Sequence, residues 1–161
     1  MKTNKALLII IAILIIGGIS FAFVGKSNNE KVEQVTSTSA LVSDKQMYDF
    51  GDIDIFSGKV TTEFVLTNDG LDDIIVTDGT TSCGCTDGKI DGISFGMHEQ
   101  MNSDVTILAG ETKNLTIIYD PMAHGPNATG KIDRQVFLKT NSAVTPELEI
   151  RIKANVTKES N

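Results

Sequence analysis

The segment Pro146–Val156, PELEIRIKANV, alternates without a break: Leu148, Ile150, Ile152, Ala154 and Val156 interleave with Glu149, Arg151, Lys153 and Asn155. A period of two sends successive side chains to opposite faces of a strand, so one face is apolar and the other is wetted. The same pattern continues outward along the chain. KVTTEFVLTNDG places Val60, Thr62, Phe64 and Leu66 on one face and ends in a turn at Asn68-Asp69-Gly70. LDDIIVTDG turns Ile74 and Val76 inward, and TKNLTIIYDP does so with Leu115, Ile117 and Tyr119 before Pro121 stops the strand. KIDRQVFLKTN sets Ile132, Arg134, Val136 and Leu138 on one face, an arginine among three aliphatic residues.

With MYDFGDI (47–53) in front and DVTIL (104–108) in the middle, the pattern predicts about seven strands and no helical apolar stripe after residue 25. The expected fold is all-β: an immunoglobulin-like antiparallel β-sandwich over residues 45–157, with 158–161 as a tail. The tryptophan and widely spaced cysteine pair of antibody domains are missing.

Ahead of the sandwich lies a different kind of sequence. Ala6–Gly25, ALLIIIAILIIGGISFAFVG, carries no charge over twenty residues. As a helix it spans about 30 Å, the thickness of a bilayer's hydrocarbon core. Lys2 and Lys5 precede it, which keeps the N-terminus cytoplasmic and exports the rest. Residues 1–25 therefore read as an N-terminal transmembrane signal anchor and 26–44 as a flexible polar stalk. A cleaved signal peptide is the rival reading, but the apolar run is long and no clean small-residue cleavage site follows it. Both readings place the domain outside the cytoplasm, tethered to the cytoplasmic membrane in the first case. All 21 acidic residues follow the anchor, against 12 lysines and arginines, giving that part a net charge of −9. Such a surface repels phosphate backbones, so nucleic acid is not an expected partner.

The chemistry-bearing residues are few. TTSCGCTDGK (80–89) holds both cysteines of the chain, Cys83 and Cys85, with one glycine between them. A bond between them encloses a single residue and restrains almost nothing of the unfolded chain. Three readings stay open: buried thiols that pack as small hydrophobes, a redox-active pair, or a metal site. The two histidines, His98 and His124, lie with Met97, Met101 and Met122 in the short stretches MHEQM (97–101) and MAH (122–124). Thiolate and thioether sulfur with imidazole favour Cu(I). If successive strands run antiparallel, the cysteine segment, the insertion of about residues 87–103 and the DPMAHGPNATG loop (120–130) share one end of the sandwich. Cys83, Cys85, Met97, His98, Met101, Met122 and His124 are the candidate ligands there.

YDFGDI, EFVLTNDG, TSCGCT, LAGETKNLTIIYDP and the TN at 140–141 together resemble a bacterial exported family, the domain of unknown function numbered 1573. Its members look like Hydin-type immunoglobulin domains. The resemblance spans roughly residues 46–157, with Cys-Gly-Cys between two strands as its most specific element. It implies the fold and an extracytoplasmic location, and brings no activity. The family usually shows Pro-Gly where this chain has Ala109-Gly110, and the insertion bearing methionine and histidine is longer than in shorter versions of the pattern.

No G-x-S-x-G, P-loop or H-E-x-x-H occurs, so hydrolytic chemistry has no visible basis and no enzyme is expected. DGKIDG (87–92) reads as a turn rather than a calcium loop, because Lys89 occupies a ligand position. Asp72-Asp73 reads as a solvated strand edge. The sequons at Asn114, Asn127 and Asn155 read as chance. The expectation is a tethered, non-enzymatic binding or assembly module with an unidentified protein partner, for which Cu(I) is the candidate ligand and no cofactor is fixed. A thiol–disulfide redox protein and a structural interaction domain are the alternatives.

Overall fold

The computed structural model describes residues 35–158. The signal anchor expected at 1–25, the first part of the stalk and the last three residues lie outside the described residues. Among the described residues no helix is long and apolar enough to cross a membrane.

The described residues form ten strands: β1 (Leu41–Ser43), β2 (Met47–Asp54), β3 (Val60–Asn68), β4 (Ile74–Thr81), β5 (Thr86–Ile90), β6 (Ile93–Gly96), β7 (Val105–Ile107), β8 (Thr112–Tyr119), β9 (Gly130–Thr140) and β10 (Glu147–Thr157). They make two five-stranded sheets, ordered β1-β3-β8-β5-β6 and β2-β10-β9-β4-β7. The pairs are antiparallel except β2 with β10, which run parallel. Most of the inward residues read from alternation are buried, from Phe64 and Leu66 to Ile150, Ile152 and Val156, while Val60, Ile132 and Arg134 are only partly so. Each fully buried aliphatic or aromatic side chain contributes roughly 1.5–3 kcal/mol through the area it removes from water.

Seven of the ten strands coincide with the expected ones. The other three are short, and their polar composition hid them. Leu41–Ser43, assigned to the stalk by composition, pairs with β3 through Leu41↔Asn68 and is anchored by the buried Leu41 side chain. DGKIDG is a strand and the start of a hairpin rather than only a turn: Asp87–Ile90 belongs to β5, and Asp91 (φ 51°) with Gly92 (φ 84°) closes a two-residue turn into β6.

Phe95 of β6 explains two glycines. It is fully buried, and its ring lies against both Gly88 of the neighbouring β5 and Gly79 of β4 in the opposite sheet. A Cβ on Gly79 would fall 2.6 Å from Phe95 Cγ, and one on Gly88 2.5 Å from Cε2. Only hydrogen at both positions leaves room for the ring. A bulge between Val76 and Asp78 shifts the register of β4, so that Gly79 and Thr81 face inward after Ile74 and Val76.

The far end is stitched by polar side chains. Asn68, fully buried, donates from Nδ2 to the carbonyls of Asp72 and Ile107, each at 2.9 Å. Asn141 accepts the Ile75 amide on Oδ1 and donates from Nδ2 to the Val35 carbonyl. The Asp72-Asp73 pair is more than a solvated edge. Asp72 accepts from both the Thr38 amide and hydroxyl, and Asp73 from the Ala109 amide. A proline at 109 has no N–H for that bond, which gives the departure from Pro-Gly a local reason.

Candidate functional site

The site follows from register. Thr86 of β5 lies opposite Tyr119 of β8, and Asp87 opposite Gly96 of β6. Immediately beyond this row each chain leaves the sheet: backward into Cys83–Cys85, forward from β6 into Met97-His98, and forward from β8 into Asp120–His124. The three segments expected to meet therefore begin side by side. The cysteine loop also crosses between layers, since β4 ends in one sheet and β5 begins in the other.

Local hydrogen bonds fix the loop. The Thr86 amide donates to the Cys83 carbonyl at 3.1 Å, and the Asp120 amide to the Cys85 carbonyl at 2.9 Å. The buried Thr81 hydroxyl lies 2.8 Å from the Thr86 carbonyl and 3.0 Å from that of Cys83. On the other side, Ser82 pairs with Gln135 of β9 through its amide and its hydroxyl. The segment carrying His124 turns because Asp120 Oδ1 accepts the Met122 amide at 2.8 Å and Pro121 fixes the next φ. Gly125, at φ 89°, lets the chain reverse after the histidine.

Cys83 and Cys85 are joined by a disulfide with Cα atoms 5.2 Å apart. Of the three readings left open, separate packing thiols do not describe this state: Cys85 belongs to the core at 3 % exposure, but its sulfur is bonded to that of the half-buried Cys83. His124 Nε2 lies 3.3 Å from Cys83 Sγ, within hydrogen-bonding reach of sulfur. Arg134 Nε donates to Cys85 Sγ at 3.4 Å, and the Thr86 hydroxyl lies 3.7 Å from the same sulfur. Each sulfur thus faces its own nitrogen base or cation. The ligand atoms of Cys83, Cys85 and His124 all lie within 4.8 Å of one another, a grouping able to hold a metal ion once the sulfurs are reduced.

The other candidate residues are placed less centrally. His98 is exposed and its ring packs beside the middle of the loop, with Cδ2 3.6 Å from where a Cβ on Gly84 would stand. Met101 packs against the hydrophobic core, while Met97 and Met122 are exposed. The residue that sequence reasoning left out of the site is Arg134. Its signal was visible: a guanidinium on the inward face of β9, between Ile132 and Val136. Its position opposite Ile152 of β10 keeps it on that face. Tyr119, buried beneath the site, has its phenol pKa raised above the ordinary value by desolvation. The Arg134 charge opposes that shift, and Asp120 adds to it.

Comparison with known proteins agrees with this architecture. A family model described as "Protein of unknown function (DUF1573)" matches residues 41–156. No curated protein matches the chain. Among solved structures, a protein of unknown function from Porphyromonas gingivalis W83 is similar at TM-score 0.60 and 16 % identity, over 80 % of this chain and 51 % of that one. A family 123 glycoside hydrolase from Clostridium perfringens is similar at TM-score 0.51 and 7 % identity, over 76 % of this chain and 28 % of the hydrolase. The secreted serine protease VesC from Vibrio cholerae reaches TM-score 0.50 at 12 % identity, over 76 % and 24 %. The chain thus spans about half of the first and about a quarter of the other two, and the likeness is one of fold alone.

Proposed function

The chain belongs to the DUF1573 family, and from that footing we propose that it is a non-enzymatic binding module, tethered to the membrane and displayed outside the cytoplasm. Its tip holds one Cu(I) ion on the reduced sulfurs of Cys83 and Cys85, with the imidazole of His124. The observation that supports this reading is that His124 Nε2 stands 3.3 Å from Cys83 Sγ of the disulfide, so that reduction leaves two sulfurs beside an imidazole, the three ligand atoms lying within 4.8 Å of one another.

The donor set favours copper over zinc. The grouping supplies three ligands, too few to close the tetrahedron of a structural zinc site, although two cysteines and a histidine with a water also suit an open one. Two soft sulfurs and an imidazole suit a monovalent copper ion, which is content with two or three ligands. Exposed His124 is the ligand that a partner displaces first, so the ion leaves through the loop side rather than past Cys85. Support for the tether is the uncharged run Ala6–Gly25 behind Lys2 and Lys5, a sequence observation outside the described residues. A protein that accepts or delivers the ion is the partner this reading calls for.

X-ray absorption on the reduced, Cu(I)-loaded full chain in detergent tests the ligand set. The expected inner shell contains two sulfurs and one nitrogen, and loses both sulfurs in Cys83→Ser/Cys85→Ser. A shell of nitrogen and oxygen alone rules the site out.

A further inference from the structure

The two sulfurs are not equivalent, and the difference has chemical direction. Cys83 is half-buried and stands beside exposed His124, whereas Cys85 is in the core with the Arg134 Nε–H aimed at its sulfur. Cys85 is also immobilised through its backbone, its carbonyl accepting from Asp120 and its amide directed at Cys83 Sγ at 3.2 Å. The disulfide closes over one residue, so it is poorly suited to a stabilising staple.

We infer that this disulfide is an exchange centre for dithiols, in which Cys83 is the sulfur attacked and Cys85 the sulfur released, with Arg134 holding the released thiolate. The inference rests on the same sulfurs as the copper reading and requires no metal. An incoming thiolate approaches the half-buried Cys83 and bonds to its Sγ. The Cys83–Cys85 bond breaks, and its electron pair leaves on Cys85 Sγ. The second thiol of the reductant, as thiolate, then attacks its own sulfur in the mixed disulfide and expels the Cys83 thiolate. The reductant has lost two electrons and two protons to form its disulfide, and Cys83 and Cys85 have gained them as two thiols, one dithiol being consumed per chain.

Leaving-group quality decides which sulfur departs. A sulfur whose developing negative charge meets a cation leaves faster, and Arg134 Nε stands 3.4 Å from Cys85 Sγ. Arginine keeps its charge at any working pH, so the guanidinium on Cys85 is a permanent counter-ion. Attack in the opposite sense would have to reach a sulfur inside the core and would release a thiolate on the side away from Arg134.

The test uses the oxidised full chain in detergent, stripped of metal with a chelator. It is treated with the monothiol glutathione, quenched in acid, alkylated and mapped by fragment mass spectrometry. The expected adduct is glutathione on Cys83 with alkylated Cys85; glutathione on Cys85 overturns the inference without any variant being made. A second readout follows the rate of reduction by dithiothreitol in Arg134→Gln and Arg134→Lys. Arg134→Gln is expected to slow reduction about tenfold, with Arg134→Lys in between. An Arg134→Gln protein that is reduced as fast as the parent overturns the role given to Arg134. Exchange at Cys83 without Cu(I) binding leaves this inference standing and refutes the copper reading alone.

Discussion

Replacing Gly88 by alanine adds one methyl group against the outer end of the Phe95 ring. The built Cβ stands 2.5 Å from Cε2, a separation real Cβ atoms essentially never show. Phe95 is fully buried, with Gly79 of the opposite sheet against its other atoms, so the ring has no open space to move into. Overpacking of this kind costs about 1–3 kcal/mol. For a domain of this size, about 4 °C of melting temperature corresponds to each kcal/mol, so Tm is expected to fall by roughly 4–12 °C. Thermal unfolding followed by far-ultraviolet circular dichroism measures it. The reasoning carries a stricter consequence, because the cost belongs to the pair and not to the glycine. In a Phe95→Leu background the ring atoms nearest Gly88 are gone, and Gly88→Ala should cost less there by about 1 kcal/mol or more. An unchanged Tm in Gly88→Ala, or strict additivity with Phe95→Leu, would refute the claim that these glycines exist to seat the ring.

Other consequences follow from the polar seams. Asn68→Ala removes the amide that donates to the Ile107 and Asp72 carbonyls; the Asp72 carbonyl keeps the Ser39 hydroxyl as a donor, so a loss of about 1–3 kcal/mol is expected, read as a lowered urea midpoint with unchanged m. Thr81→Val keeps the shape but removes the hydroxyl between the Cys83 and Thr86 carbonyls; an expected loss of about 1–2 kcal/mol should come with faster reduction of the disulfide as the loop loosens. The Asp72 carboxyl is held below the usual carboxylate range by the Thr38 hydroxyl and amide. A depressed folded pKa means that the unfolded chain binds the proton more readily. Its contribution is therefore complete above the ordinary value of about 4 and is lost as pH falls through the lowered one. Hydrogen exchange at the Thr38 amide should accelerate between about pH 5 and pH 2 beyond the intrinsic pH effect, and Asp72→Asn should abolish that pH-linked increment.

Much of the architecture was legible because the long strands keep a period of two, as Leu148–Val156 and Val60–Leu66 do. The strands that escaped notice are those where alternation is too short or too polar to register. In β1, Leu41 alone is fully anchored, and β5 places Gly88 rather than a large side chain at a buried position. Glycine carries no hydrophobic signal, and the reason for it here is a phenylalanine seven residues later. For the site, strand parity correctly brought Cys83 and Cys85 to His124, since β4, β6 and β8 all end at one edge of the sandwich. Parity cannot tell which side chains of a loop point inward, so Met101 was included although it packs on the core. Arg134 was on the page as an anomaly in an apolar face. Its meaning required the opposite sheet, because what it reaches is a sulfur 49 residues away in sequence.

The most direct measurement is a competition titration of Cu(I) between a chromogenic chelator and the reduced full chain in detergent, with Cys83→Ser/Cys85→Ser and His124→Ala in parallel. The expected result is one copper per chain held against the chelator, lost in the double cysteine variant and weakened without His124. Copper that binds equally well to the double variant, or that stays entirely with the chelator, would contradict the proposal that these adjacent cysteines grip a single ion.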